Sequence, residues 1–183
     1  MKFDIITEDE RLWAVKYEGC PDNVLYMLFE QWNDVSWLRE FFKANIDDLI
    51  SYFRITDVNE AIYDTIEDSE KLQCLIMDIS PDADLDKLFR PLENSRVKEM
   101  LLGKEKARLK DLNKHASWLR IYAIKLAPGI YVITGGAIKL TRTMQEREHT
   151  LLELQKMERV RRFLLDNNVI DKDAFTDYLS ELS

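Results

Sequence analysis

The sequence predicts an α+β fold, and three observations carry that expectation. Apolar residues alternate with polar ones near the N-terminus, recur at three- and four-residue steps through the middle, and alternate again from about residue 118. The late alternating stretches are joined by two-residue connections, which force antiparallel neighbours because parallel strands need a crossover of a dozen residues or more. The expected architecture is a small antiparallel sheet packed with helices, not a chain of β–α units.

In chain order, Phe3 and Ile5, then Trp13, Val15 and Tyr17, have the period of half-buried strands, and the charged Glu8-Asp9-Glu10 connects them. Gly19-Cys20-Pro21-Asp22 stops the second strand and opens a helix in which Leu25, Leu28, Phe29 and Trp32 follow at helical spacing. Asn33-Asp34 breaks that helix and caps the next, Val35 to Lys43, striped by Trp37, Leu38, Phe41 and Phe42. A short helix is expected over Asp47 to Phe53. Thr56 to Glu60 then opens a longer helix through Ala61, Ile62, Ile66, Leu72, Leu75 and Ile76, which Ser80-Pro81-Asp82 ends.

The acidic stretch 82–94 marks a boundary between residues 1–94, an acidic strand and helix extension, and residues 95–183, a basic module with an acidic C-terminal helix, the two sharing one core. Residues 95–114 read as helical or partly mobile. From Trp118 the pattern is a strand, a Pro128-Gly129 turn, a strand, a Gly135-Gly136 turn and a third strand that delivers Lys139 and Arg142 into a helix over Met144 to Leu165. A terminal helix, Asp171 to Leu182, is capped by Asp171. The tryptophans fall mainly on apolar faces and read as core, and Tyr122 and Tyr131 read as a cross-strand pair.

Composition narrows the class. With 183 residues, 46% of them hydrophobic, the chain has enough material for one full core. Cys20 and Cys74 are too few for a disulfide framework and lack metal-type spacing, so two reduced thiols and no metal site are expected. The N-terminal apolar run is too short for a secretion signal, and no segment approaches the roughly 20 apolar residues of a membrane helix. A cytoplasmic protein without a membrane partner is the expectation.

The formal net charge of −8 conceals a strong asymmetry: residues 96–162 hold 16 Lys and Arg against 7 Asp and Glu, inside an otherwise acidic chain. A basic module of this kind suits phosphate-bearing partners, because cations gain free energy by releasing the counterions condensed on a polyanion. The densest run supplies Lys104, Lys106, Arg108, Lys110 and Lys114 as candidate RNA contacts, joined by Arg159 and Arg162 on the long helix. Arg120, Lys139 and Arg142 are placed to bind a scissile phosphate and stabilise its growing charge, with His149, or His115, as a proton-transfer group. RNA supplies its own 2′-hydroxyl nucleophile, so that chemistry needs no metal or cofactor. The alternative is an ordinary solvated face on which these cations pair with Glu146, Glu148, Glu153 and Glu158.

Residues 118–157 resemble the RelE/ParE toxin superfamily, particularly its HigB-like, phage-derived branch. That branch has a Leu-Arg strand, then Gly-x-Tyr-Arg-Ile, then His-Gly-Phe-x-Lys-Lys-Thr and a Glu-containing helix. The matching residues are Leu119-Arg120, Gly129-Ile-Tyr131-Val-Ile133, Gly135-Gly136-Ala137-Ile-Lys139-Leu-Thr141 and the helix containing Glu148. The pattern's Arg, His, Phe and second Lys are Val132, Gly135, Ala137 and Leu140 here. The resemblance implies a small antiparallel sheet with two helices before it and one after, and Arg120 and Lys139 facing phosphate. It implies a toxin acting on RNA at the ribosome as a metal-independent endoribonuclease, held by an acidic antitoxin. Two alternatives stay open: a catalytically inert module binding nucleic acid or an acidic protein, and a basic face masked by the chain's own N-terminal block.

Overall fold

The computed structural model describes residues 1–92, 102–109 and 115–181, built as a six-stranded sheet with helices on both faces. The strands are β1 (Lys2–Ile5), β2 (Leu12–Lys16), β3 (Phe89–Pro91), β4 (Lys104–Ala107), β5 (Leu119–Ala127) and β6 (Ile130–Ile138), in spatial order β1-β2-β6-β5-β4-β3. The helices are α1 (Val24–Asn33), α2 (Val35–Ala44), α3 (Ile46–Asp48), α4 (Val58–Met77), α5 (Leu85–Leu88), α6 (Glu148–Asp166) and α7 (Lys172–Glu181). A π turn, Leu49–Phe53, continues α3, and a 3-10 turn, Met144–Glu146, precedes α6. The α+β class is as the sequence predicts. No helix among the described residues is long and apolar enough to cross a membrane.

The sheet is larger than expected, and it is mixed. Four of the five neighbouring pairs are antiparallel, β1–β2 and those of the β3–β4–β5–β6 meander, but β2 lies parallel to β6, Leu12 opposite Tyr131 and Ala14 opposite Ile133. The helical block between β2 and the meander supplies the long connection that a parallel pair needs. Residues 1–92 contribute β1, β2 and β3 to the same sheet as the basic residues.

Side chains alternate between two cores. One face buries Leu12, Ala14, Leu119, Ile121, Ala123, Tyr131 and Ile133 under α1, α2 and α4, where Trp32, Leu38, Phe42 and Leu72 close the layer. The other face buries Val15, Tyr122, Ile124 and Val132 under Met157, Val160 and Leu164 of α6, while Phe175 of α7 sits edge-on to both Phe3 and Trp13 at 5.2 Å. Tyr122 and Tyr131 thus point to opposite faces and do not pair. Tyr122 stands opposite Gly135, and Tyr131 opposite Lys125.

The caps explain where the helices begin. Asn23 accepts from the Leu25 and Tyr26 N–H groups, Asp34 from Ser36 and Trp37, and Asp57 from Asn59. In α4 the cap is Asp57, one residue later than the Thr56 arrangement predicts.

No turn forms at Gly135-Gly136, since β6 runs through both residues and β5–β6 are the only strands built from 118 to 140. The glycines answer crowding from both faces. A side-chain carbon at Gly135 would collide with the Glu153 carboxylate of α6, and one at Gly136 would lie 2.7 Å from both the Arg120 carbonyl oxygen and Leu28 of α1. A shift of register between Tyr122 and Ala123 marks a bulge at the same place. Gly129, with φ of 72°, does occupy the turn expected after Pro128. Residues 104–107, expected to be helical or partly mobile, form β4.

Candidate nucleic-acid interface

The β-strand period decides which cations meet. Lys104 and Lys106 alternate along β4 on the same face as Arg120 and Tyr122 of β5, and Arg108 follows at the same step. Register places Arg90 of β3 opposite Lys106, and Lys106 opposite Tyr122. Strands lie about 4.8 Å apart, so this row carries two like charges side by side, an arrangement that destabilises a sheet in isolation.

These residues line a cavity of about 1320 Å³. Its floor is Arg90, Lys104, Lys106, Arg108, Arg120 and Tyr122, and Lys139 and Arg142 close one end just beyond β6. The apolar part of the lining comes from both layers, with Leu75 of α4 and Ile79, Leu85 and Leu88 around α5 on one side of the sheet, and Leu92, Met144 and Leu154 with the α6 layer. Asp78, Asp84, Lys71 and Lys87 also belong to the lining.

The cations are close enough to act on one another. Burial, with the neighbouring Arg120 and Arg108, holds the Lys106 ammonium below its ordinary range. Burial, with Arg120 and Lys106, does the same to Lys139. Several of these groups also organise the backbone. Lys139 Nζ donates to the Thr141 and Arg142 carbonyls, both at 2.6 Å, and so shapes the loop that presents Arg142. Arg120 donates to the carbonyls of Ser117 at 2.5 Å and Leu119 at 2.7 Å. Lys106 Nζ donates to the Leu92 carbonyl at 3.0 Å, and Lys104 pairs with Glu158 of α6 at 3.2 Å.

Both sides of the cavity are tethered. On the α5 side, Arg11 donates to the carbonyls of Ala83 at 2.6 Å and Ser80 at 3.0 Å. Asp86 accepts from the Tyr131 hydroxyl and the Gly129 N–H and pairs with Lys125 at 3.0 Å, so α5 is fixed to the β5–β6 turn. At the other end the loop after Arg142 leads into a capping box between Thr143 and Glu146, and Arg147 then grips Asp48 of α3 through two contacts of 2.5 and 2.6 Å.

The remaining candidates lie elsewhere. His149 sits in the first turn of α6 with Nε2 2.9 Å from the Ile138 carbonyl oxygen, and its ring meets the edge of Phe41 at 5.2 Å. His115 stacks on Trp118 at 4.4 Å with Nε2 3.0 Å from Asp64. Neither is part of the described lining. Arg159 and Arg162 are exposed on α6 outside it, Arg162 being paired with Glu158 at 3.3 Å. Lys110 and Lys114 lie outside the described residues. Among the described residues no group of His, Cys, Asp and Glu is arranged to hold a metal ion. Arg90, Tyr122 and the apolar part of the lining were not foreseen; Arg90 has a signal only once Phe89-Arg90-Pro91 is known to be a strand.

One buried acid borders the cavity without lining it. Glu153 faces Gly135 from α6, with one oxygen 2.6 Å from Lys156 Nζ and the other without a hydrogen-bond partner. Burial raises its pKa above the ordinary carboxylate value, outweighing the Lys156 cation. A carboxyl whose folded pKa is raised binds more protons folded than unfolded within that window, so stability falls as pH rises from about 4.5 through the folded value. Glu153→Gln should therefore be as stable as the wild type below that window and more stable above it. Urea unfolding at pH 4 and pH 8 measures this, and a variant equally stable or weaker at pH 8 contradicts it.

Comparison of the chain with protein-family models, curated proteins and solved structures returns no match, so the functional reading rests on this geometry and on the resemblance of residues 118–157.

Proposed function

We propose that this chain is a RelE-like, toxin-type cytoplasmic protein whose cationic cavity binds single-stranded RNA. One observation carries the reading: cations from β3, β4, β5 and the loop after β6 converge on a single cavity, where a phosphate backbone relieves the mutual repulsion of Arg120, Lys106 and Lys139. Arg120 and Lys139, the two positions that the resemblance marks as phosphate-facing, both belong to it. The apolar residues of the lining, Leu75, Leu85, Leu88 and Leu92, favour a single strand over a duplex, because unpaired bases offer apolar faces that a duplex keeps stacked inside.

The test is fluorescence anisotropy of purified chain with a labelled single-stranded RNA. The slope for single strands is about −0.7 per phosphate neutralised, so five engaged cations predict an affinity loss of about a hundredfold between 50 and 200 mM salt. Absence of binding even at 50 mM salt removes RNA as the ligand and leaves an acidic protein as the partner.

A second reading adds cleavage, and the depressed Lys106 and Lys139 favour it because such a lysine is nearer to exchanging a proton at neutral pH. In that reaction the RNA 2′-oxygen attacks the adjacent phosphorus and the bond to the 5′-oxygen breaks. A basic group of the site takes the 2′-hydroxyl proton, and a protonated one donates a proton to the departing oxygen. Cut RNA ending in 2′,3′-cyclic phosphate, formed in the presence of a metal chelator and lost in Lys139→Ala, is the expected product. Intact RNA under those conditions leaves the binding module alone.

A further inference from the structure

A buried hydroxyl with no hydrogen-bond partner is uncommon in a folded protein, because leaving it unmade costs the full desolvation of the group. The Tyr122 hydroxyl is such a group. The side chain is fully buried, no described atom accepts from or donates to its oxygen, and the residue nonetheless lines the cavity. Packing alone would be satisfied by a phenylalanine, since the ring lies among Ile124, Leu126 and Val132 in an apolar core.

Its neighbours define what the hydroxyl faces. Lys106 stands directly across the β4–β5 pair, and Arg120 is two residues along β5 on the same face. The Arg120 guanidinium acts electrostatically on the Tyr122 hydroxyl and on the Lys106 ammonium, and the Glu153 carboxyl, which burial holds toward its neutral form, also acts on the hydroxyl, so two cations and one buried acid share its neighbourhood. Two cations and a neutral donor in one place suit a phosphate oxygen, which accepts charge-assisted bonds from the first two and an ordinary bond from the third.

We propose that Tyr122, Lys106 and Arg120 form a phosphate subsite on the cavity floor, in which the Tyr122 hydroxyl donates to a phosphate oxygen of the bound ligand. This deepens the RNA reading and rests on it for the identity of the ligand, though not for the chemistry of the subsite. The hydroxyl is held unpartnered in the free protein and gains its bond on binding, so it costs the apo fold stability and returns that energy as affinity.

Tyr122→Phe separates these roles, because it removes one oxygen and keeps the ring. The variant should melt at the same temperature as the wild type or a few degrees higher. It should bind a labelled single-stranded RNA about fivefold to tenfold more weakly, with Lys106→Gln weakening binding further and flattening the salt dependence. Inorganic tripolyphosphate is the second probe, displacing the RNA from the wild type and acting more weakly on Tyr122→Phe. Unchanged affinity of Tyr122→Phe for both probes overturns the subsite while leaving RNA binding in place. A lower melting temperature for Tyr122→Phe shows that the hydroxyl is already bonded in the free protein and overturns it as well. Wild-type binding of tripolyphosphate, sensitive to Tyr122 but without RNA binding, keeps the subsite and overturns the RNA reading. Failure of both probes to bind the wild type overturns both.

Discussion

The double variant Arg120→Ala, Lys106→Ala should lose roughly two orders of magnitude or more in affinity for single-stranded RNA. A hydrogen bond to a charged group contributes about 1.5–3 kcal/mol, and two such bonds to the phosphate backbone are lost together. Charge removal also changes the response to salt. With five phosphates neutralised the wild type loses about a hundredfold between 50 and 200 mM, whereas a variant engaging three loses roughly twentyfold. The two measurements check each other, since a misfolded variant would lose affinity without a regular change of slope. A double variant that binds as the wild type does would move the interface off the sheet floor, to the exposed Arg159 and Arg162 or to the basic residues outside the described segments.

The largest loss of stability is expected for Trp118→Ala. Trp118 is fully buried, its indole N–H donates to the Thr65 hydroxyl at 2.9 Å, and its ring meets Phe42 at 5.6 Å, Phe53 at 5.1 Å and His115 at 4.4 Å. Truncation removes that contact surface and the bond to Thr65, and leaves a cavity where α2, α4 and β5 meet. Large-to-small changes of this type cost about 3–5 kcal/mol, against a total of about 5–15 kcal/mol for an ordinary domain. Chemical denaturation should show the midpoint falling by a large fraction at nearly constant slope. Trp118→Phe keeps most of the packing and should recover more than half of the loss. A midpoint shift of under 1 kcal/mol for Trp118→Ala would mean that this junction does not hold the helical layer to the sheet.

The α+β class was legible because apolar periodicity survives in the elements that face a core: α1, α2, α4, β2 and β5 all show it in their own residues. The mixed sheet was not. Nothing local in Leu12 to Lys16 says that its partner is β6, more than a hundred residues away, because parallel pairing leaves no turn residues as a signature. Residues 104–108 were misread for a different reason. Lys104-Glu105-Lys106-Ala107-Arg108 does alternate, but with long cations on one side and only Ala107 and the buried Glu105 on the other, so no apolar stripe announces the strand. Gly135-Gly136 reads as a turn to any local rule, and only the approach of Glu153 from one face and of α1 from the other explains the glycines.

The cavity was legible in part. Charge density pointed to the right stretch of chain, and strand register then selected from it: Lys104, Lys106, Arg108, Arg120, Lys139 and Arg142 converge, while Arg159 and Arg162 sit along a helix whose apolar side is spent on the sheet. His149 drew notice through its chemistry alone. Its ring is placed by Phe41 and the Ile138 carbonyl, a neighbourhood built by α2 that no spacing within residues 146–149 could reveal.

The parallel contact between β2 and β6 also sets a clock on the making of this protein. Synthesis proceeds at about 5–20 residues per second, so roughly 6–23 s pass between the appearance of Ala14 and that of its partner strand. For that interval β2 has an open, strongly apolar edge, held on one side only by β1, and the helices that follow it have no sheet to lie on. Non-local pairing of this kind is slow to nucleate because loop closure precedes any reward. The cationic floor, the apolar part of the lining and the Arg11 and Asp86 tethers are assembled from segments that precede and follow that closure. The newborn chain thus passes its longest vulnerable period without a finished cavity, and acquires the cavity in the same late event that makes it a folded protein.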